Sequence, residues 1–168
     1  FTLVNASVSV EPPMFVDVVN VTSAADMADV VKSKAAEQDI IIMTAAVADF
    51  CPSHPADEKI KKNDSSYESV IELERTEDIL SYLGAHKAKG QLICGFSMET
   101  QNMLENSKAK LAKKNADMIV ANNLKVAGAG FGTDTNVVTL ITADDCTELE
   151  IMDKSCVAAR IMDRLLQM

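Results

Sequence analysis

The chain has 168 residues, is 48% hydrophobic and 24% charged, and carries a formal net charge of −9. That length suffices for one domain with its own core. The acidic balance argues against nucleic acid as a partner, because a phosphate-binding surface makes a domain basic, and no apolar run approaches the ~20 residues of a membrane span.

The four cysteines, Cys51, Cys94, Cys146 and Cys156, are widely spaced, with no C-x-x-C pair and no histidine at ligand spacing. They read as reduced thiols of a cytoplasmic protein. Cys94 in "LICGF" and Cys156 in "DKSCVAARI" are expected to be buried.

Apolar, β-branched runs alternate with stretches of helical period, the pattern of βαβ units around a parallel sheet. "FTLVN" and "FVDVVNV" read as short strands separated by "EPP", whose prolines forbid a continuous helix. "TSAADMADVVKSKAAEQ" reads as a helix with Ser23 as N-cap, Asp26 three residues on, and Met27, Val30 and Val31 on one stripe. "DIIIMTAAVA" is apolar on both faces and is expected to be the central, most buried parallel strand, ending in the proline-bearing loop "DFCPSHPADEK". "SYESVIELER" alternates with period two, as a half-exposed strand does. A short helix "EDILSYLGAHK", a strand "QLICGFSM", a polar-faced helix "TQNMLENSKAKLAKKNA" and a buried strand "DMIVANN" follow. The Gly-rich "KVAGAGFGTDTN" leads to "VVTLITADD" and "TELEIMD", an antiparallel pair around the turn "ADDC". A last helix, "KSCVAARIMDRLLQM", places Val157, Ile161 and Leu165 on one face. The expectation is one domain over residues 1–168: α/β, doubly wound, with a mostly parallel Rossmann-like sheet, helices on both faces and an antiparallel C-terminal edge.

Ligands of an open parallel sheet bind beyond the carboxyl ends of its strands, which selects "AAVADF", "GFSMET" and "ANNLKVAGAGFGTDTN". Ala45 and Ala46 are small enough for a ligand to approach the backbone amides, or for a helix to pack closely. Asp49 offers an acceptor to a hydroxyl or amine, or caps a turn. Lys59, Lys61 and Lys62 form a basic loop in an acidic chain, and Lys59 and Lys61 share a side if the segment is extended. Lysine binds a polyphosphate as a compact point charge, with Mg²⁺ sharing the load, although the same run suits a solvated loop. Lys110 and Lys114, four residues apart, share a helix face. Phe96 at its strand suits either a base to stack on or the core. "GAGFGTDTN" lacks the G-x-G-x-x-G spacing and precedes a strand, so it is not read as a dinucleotide loop. His54 and His86 stand near no nucleophile and read as surface residues, so neither triad hydrolysis nor a zinc site has support. The residues by themselves lead to an α/β domain suited to an anionic nucleotide.

Taken together, "AAVADF", "EKIKKN", "GFSMET", "DMIVANN" and "GAGFGTDTNVVTLI" resemble the phosphopantothenoylcysteine synthetase family in its bacterial, CTP-using branch, over nearly the whole chain and in the same order. The resemblance implies a ligase of coenzyme A biosynthesis. The carboxylate of 4′-phosphopantothenate attacks the α-phosphate of CTP, pyrophosphate leaves, and the cysteine amine then displaces CMP from the acyl-cytidylate. It implies that Lys59 grips the triphosphate and that Lys110 and Lys114 bind the nucleotide further along. Ala45, Ala46 and Asp49 then lie at the active strand end, Glu77, Asp78, Ile79 and Leu80 line the nucleotide pocket with Phe96 beside them, and Asn122 has a substrate or structural role. Lys59 and Asn122 are the catalytic candidates. Mg²⁺, a homodimer formed through "SYESVIELER" and the late antiparallel strands, and fusion or association with a flavin-dependent phosphopantothenoylcysteine decarboxylase are further implications; no flavin site is indicated in these residues.

The sequence departs from that family at Met98, where a small residue is usual, at Asn123, where aspartate is frequent, and at Glu77, where proline is frequent. The family's N-terminal glycine-loop segment is also absent, so the chain alone is expected to have little or no synthesis activity. Two rival readings are an NAD(P)-dependent reductase and a non-catalytic nucleotide-binding module.

Overall fold

The computed structural model describes residues 1–6, 8, 10–56, 58–59, 70–99, 102–123 and 132–168. In chain order its elements are β1 (Thr2–Ala6), β2 (Asp17–Val21), α1 (Ala24–Ala35), β3 (Ile40–Met43), β4 (Phe50–Pro52), β5 (Leu73–Arg75), α2 (Ile79–Ala85), β6 (Leu92–Glu99), α3 (Met103–Lys114), β7 (Met118–Asn123), β8 (Thr135–Asn136), β9 (Val138–Ile141), β10 (Cys146–Glu148), β11 (Met152–Asp153) and α4 (Lys154–Leu165). The chain divides into two compact units, Phe1–Val30 with Ala46–Asp78, and Val31–Ala45 with Ile79–Met168.

In the first unit β1 and β2 pair in parallel, from Thr2↔Asp17 to Ala6↔Val21. Helix α1 starts where its cap dictates. The Ser23 hydroxyl accepts from the Asp26 backbone N–H at 3.0 Å, and the Asp26 carboxylate accepts in return from the Ser23 N–H at 3.0 Å, so two donors of the first turn are satisfied reciprocally. Hydrogen bonds received by its carboxylate, first from the Ser23 hydroxyl, then from the Thr22 hydroxyl and the backbone N–H groups of Thr22 and Ser23, hold Asp26 below the usual aspartate range.

Strands β4 and β5 form an antiparallel pair, Phe50↔Arg75 to Pro52↔Leu73. This corrects two expectations. The proline-bearing loop opens as a strand, with Pro52 at its end, where a missing N–H is tolerated. Of "SYESVIELER" only Leu73–Arg75 is strand, and all three residues are exposed rather than half-buried; residues 60–69 lie outside the described ones.

The second unit is built on a five-stranded sheet in the order β10-β9-β7-β6-β3. Strands β3, β6 and β7 run parallel, and β9 and β10 are antiparallel additions. The run "DIIIM" is thus at an edge among the described strands, with all four residues of β3 only half-buried. The most buried strand is β7, flanked by β6 and β9, with Met118, Ile119, Val120 and Ala121 at 0% exposure. An apolar run reports that both faces are covered; it does not report which strands lie alongside.

Alternation sorts the sheet's side chains between two layers. On one face Cys94, Met118, Val120, Val138 and Leu140 pack with Val157, Ile161 and Leu165 of α4, the stripe expected from the sequence. Each such buried aliphatic side chain contributes about 1.5–3 kcal/mol. On the opposite face, Gly95 lies against Ile119 and Leu80 of α2, and Ser97 meets Ser107 of α3. The α/β fold with helices on both faces and an antiparallel C-terminal edge is therefore observed, as expected. Asp117 ties the start of the parallel strands, accepting from the Ile93 N–H at 2.7 Å and from the Lys87 ammonium. Cys156 lies on the exposed side of α4, contrary to expectation, because the apolar stripe runs through its neighbour Val157. Among the described residues no helix is long and apolar enough to cross a membrane.

Candidate functional site

In the second unit the carboxyl ends of β6 and β7 lie side by side, with Met98 opposite Asn122. Two glycines let the helices pack closely on the face of the sheet that carries α2 and α3. A Cβ on Gly95 would lie 2.6 Å from a Leu80 methyl, so the bare backbone is what lets Leu80 lie on β6. A Cβ on Gly84 would stand 1.8 Å from the Lys114 carbonyl oxygen, so α2 and the end of α3 cross at backbone contact. Asn115, left-handed at φ 49°, closes α3 and donates its side-chain amide to the Gly84 carbonyl at 2.7 Å.

This crossing sets where the two α3 lysines reach. Lys110 donates to the Phe96 carbonyl at 2.8 Å, and Lys114 donates to the Ser81 hydroxyl at 3.0 Å. Both side chains are half-buried, whereas Lys108 and Lys113 on the other faces of α3 are exposed. Leu80, the Phe96 backbone, Lys110 and Lys114 are thereby brought together where α2, β6 and α3 meet. Ile79, at 4% exposure, anchors the first turn of α2 beside them. The Phe96 ring itself points to the other face, packed against the α4 cluster. Asn122 accepts from the Asn136 side-chain amide at 2.9 Å. Ala45 is exposed.

The first unit holds the remaining candidates. The Asp49 carbonyl accepts from the Thr76 N–H at 3.1 Å, and the Thr76 hydroxyl donates to the Ala48 carbonyl, which brings Asp49 beside the segment that carries Glu77 and Asp78. Ala46, Asp49, Lys59, Glu77 and Asp78 are all exposed. Lys61 and Lys62, and most of the Gly-rich loop, fall outside the described residues. Of the positions that depart from the resembled pattern, Met98 is exposed and Asn123 half-buried at the strand end.

The residues that sequence reasoning missed are Ser81, the buried Ser97–Ser107 hydroxyl pair at 2.7 Å, and Asn136. Each earns its place through a partner far along the chain, so no local spacing marks it. Gly84 was open to detection, since a glycine inside a helical pattern signals close packing. The Cys94 thiol is pushed up to about 12 by burial and then by the charge of Asp117, which removes it as a nucleophile. His86 is exposed, as expected, and lies stacked on Tyr82 with centroids 4.1 Å apart. Among the described residues no group of three His, Cys, Asp or Glu side chains could hold a metal ion.

Parallel strands with helices on both faces define a doubly wound α/β domain, a class that binds ligands beyond the carboxyl ends of its strands. Residues 1–168 match the family described as the DNA/pantothenate metabolism flavoprotein C-terminal domain, and the chain belongs to that family. It is 45% identical over 165 residues to the coenzyme A biosynthesis bifunctional protein CoaBC of Bacillus subtilis, covering 97% of this chain and 40% of that protein. It is 44% identical over 167 residues to a cysteine/cysteine sulfinic acid decarboxylase of an unknown prokaryotic organism, covering 98% of this chain and 46% of the relative. Among solved structures, the crystal structure of the C-terminal domain of CoaBC superposes with a TM-score of 0.79 at 40% identity, covering 99% of this chain and 74% of that one. The chain thus spans less than half the length of these curated relatives.

Proposed function

We propose that this chain is the ligase domain that joins 4′-phosphopantothenate to cysteine in coenzyme A biosynthesis, using CTP and passing through an acyl-cytidylate. The observation that carries the reading is the match of the whole chain to the C-terminal domain of CoaBC in sequence and fold together. The anchored pair Lys110 and Lys114 supports it, since preorganised positive charge on one helix face suits a polyphosphate.

The chemistry explains why a nucleotide is needed. A carboxylate is a poor acyl donor; its attack on the α-phosphate of CTP releases pyrophosphate and makes its oxygen part of a good leaving group. The cysteine amine then adds to the acyl carbon, CMP departs, and the amide remains. In this reading Lys59, Lys110 and Lys114 offset charge on the phosphates. Ala45 and Ala46 leave room for the nucleotide to approach the backbone, Asp49 accepts from one of its hydroxyl or amino groups, and Glu77, Asp78, Ile79, Leu80 and the backbone of Phe96 border it. Asn122 contacts a bound substrate. Mg²⁺ would be held mainly by the phosphates. A cytoplasmic homodimer, fused to or associated with a flavin-dependent decarboxylase, completes the proposal.

Titration calorimetry tests it. CTP with Mg²⁺ should bind, and Lys59→Gln should weaken it by about 1.5–3 kcal/mol, the worth of a charge-assisted contact. Saturation by NADH at lower concentration than CTP would overturn the reading in favour of a reductase.

A further inference from the structure

The amides of Asn122 and Asn136 form a directed chain that starts from a donor whose identity is fixed. The backbone N–H of Val137 can only donate, and it donates to the Asn136 side-chain oxygen at 3.0 Å. That bond decides which way the Asn136 amide is turned, so its NH₂ faces Asn122 and donates to the Asn122 side-chain oxygen at 2.9 Å. Asn122 is turned in the same manner. Its oxygen is engaged, and its own NH₂, which has no partner among the described residues, is presented from the half-buried carboxyl end of β7. The scaffold is firm: β8 is pinned to β11 through Met152↔Asn136, and the Asn123 N–H donates to the Val137 carbonyl at 3.1 Å.

We infer that Asn136 is a positioning residue that makes Asn122 a donor-only group toward an acceptor oxygen of the bound substrate. An unrestrained asparagine offers either a carbonyl or an NH₂ to a ligand. Here one outcome is selected before binding, which rejects ligands presenting a donor at that point and removes the ordering cost for those presenting an acceptor. The inference rests on the ligase reading, in which both 4′-phosphopantothenate and CTP are rich in acceptor oxygens.

Two isosteric variants separate positioning from mere support. Asn136→Asp keeps the acceptor for the Val137 N–H but places a second acceptor against Asn122, so the Asn122 amide turns over and presents its oxygen outward. Asn122→Asp keeps the acceptor that Asn136 donates to, and therefore the link between β7 and β8, but removes the outward NH₂. Steady-state kinetics on the protein at its natural length, varying 4′-phosphopantothenate, CTP and cysteine in turn, should show kcat/KM reduced by between about tenfold and a hundredfold in both variants for the same one of the first two substrates. The double variant should be no worse than either single one. In ¹⁵N-labelled protein that substrate should shift the Asn122 side-chain NH₂ signal, and Asn136→Asp should abolish the shift. If Asn122→Asp keeps full kcat/KM while Asn136→Asp merely lowers the melting temperature, the pair is structural and the inference fails. If the unaltered protein turns over none of these substrates, it is the ligase reading that fails, and the inference falls with it.

Discussion

Replacing Gly84 by alanine probes the crossing of α2 and α3 that sets the position of Lys114. The new Cβ would stand 1.8 Å from the Lys114 carbonyl oxygen and 2.8 Å from its carbonyl carbon, both backbone atoms that no rotamer change can move. The end of α3 must back away by about 1.5 Å to restore ordinary contact, and overpacking of this kind costs about 1–3 kcal/mol, here toward the upper end. The same retreat stretches the 2.7 Å bond from Asn115 to the Gly84 carbonyl, worth about 1 kcal/mol. Against this, alanine is favoured over glycine within a helix by about 1 kcal/mol. The net is a destabilisation of about 2–3 kcal/mol, or about 4–12 °C in Tm for a chain of this size. Thermal unfolding followed by circular dichroism measures it directly. Gly90→Ala is the control, because its cost comes from a positive φ of 84° with open space around the Cβ rather than from a clash. A Gly84→Ala protein melting within about 1 °C of the unaltered one would show that the crossing is not held at backbone contact.

Lys110→Met should leave the fold intact and weaken CTP binding by about 1.5–3 kcal/mol in calorimetry; unchanged affinity would mean that the ammonium serves only the Phe96 carbonyl. Asp117→Asn should cost about 1–3 kcal/mol in urea unfolding, because a neutral amide offers one acceptor oxygen where the carboxylate serves both Lys87 and the Ile93 N–H with two. The carboxyls of Asp26 and Asp145 are both held low, the first chiefly by the Ser23 hydroxyl and the second chiefly by the Thr147 hydroxyl, and their stabilisation has a definite sign. It is present above the ordinary aspartate value of 3.8 and is lost as pH falls through the lower folded-state values, so Ser23→Ala should flatten the acid limb of a Tm–pH curve. Iodoacetamide at pH 8 should label Cys146 and Cys156 in the native protein and spare Cys94, whose thiol titrates near 12; rapid labelling of Cys94 would contradict its burial.

What could be read from the residues was whatever depends on near neighbours. The Ser23–Asp26 cap, the Val157–Ile161–Leu165 stripe and the turn between β9 and β10 all follow from spacings of a few positions, and all three are present. The misreadings arose where pairing partners decide. Nothing in "IIIM" says that β7 rather than β3 lies innermost, and nothing in "SYESVIELER" says that only its last three residues pair with Phe50–Pro52. The lysines show the same division. That Lys110 and Lys114 share a face was legible from their spacing; that a carbonyl of β6 and a hydroxyl of α2 hold them was not, because those contacts depend on two glycines meeting helices distant in sequence.

The connection between β3 and β6 has a consequence for how the chain comes to be folded. Ile40 aligns with Leu92, and the Gln91 side chain donates to the Ala35 carbonyl, 56 positions earlier, and to that of Gln38. As the polypeptide leaves a ribosome, the apolar segment 40–43 must wait for more than fifty further residues before its hydrogen-bonding edge is met, and loop-closure entropy opposes the encounter until then. During that interval it is an open, sticky template, so slow or paused translation shortly before Gln91 is where aggregation of the nascent protein should concentrate.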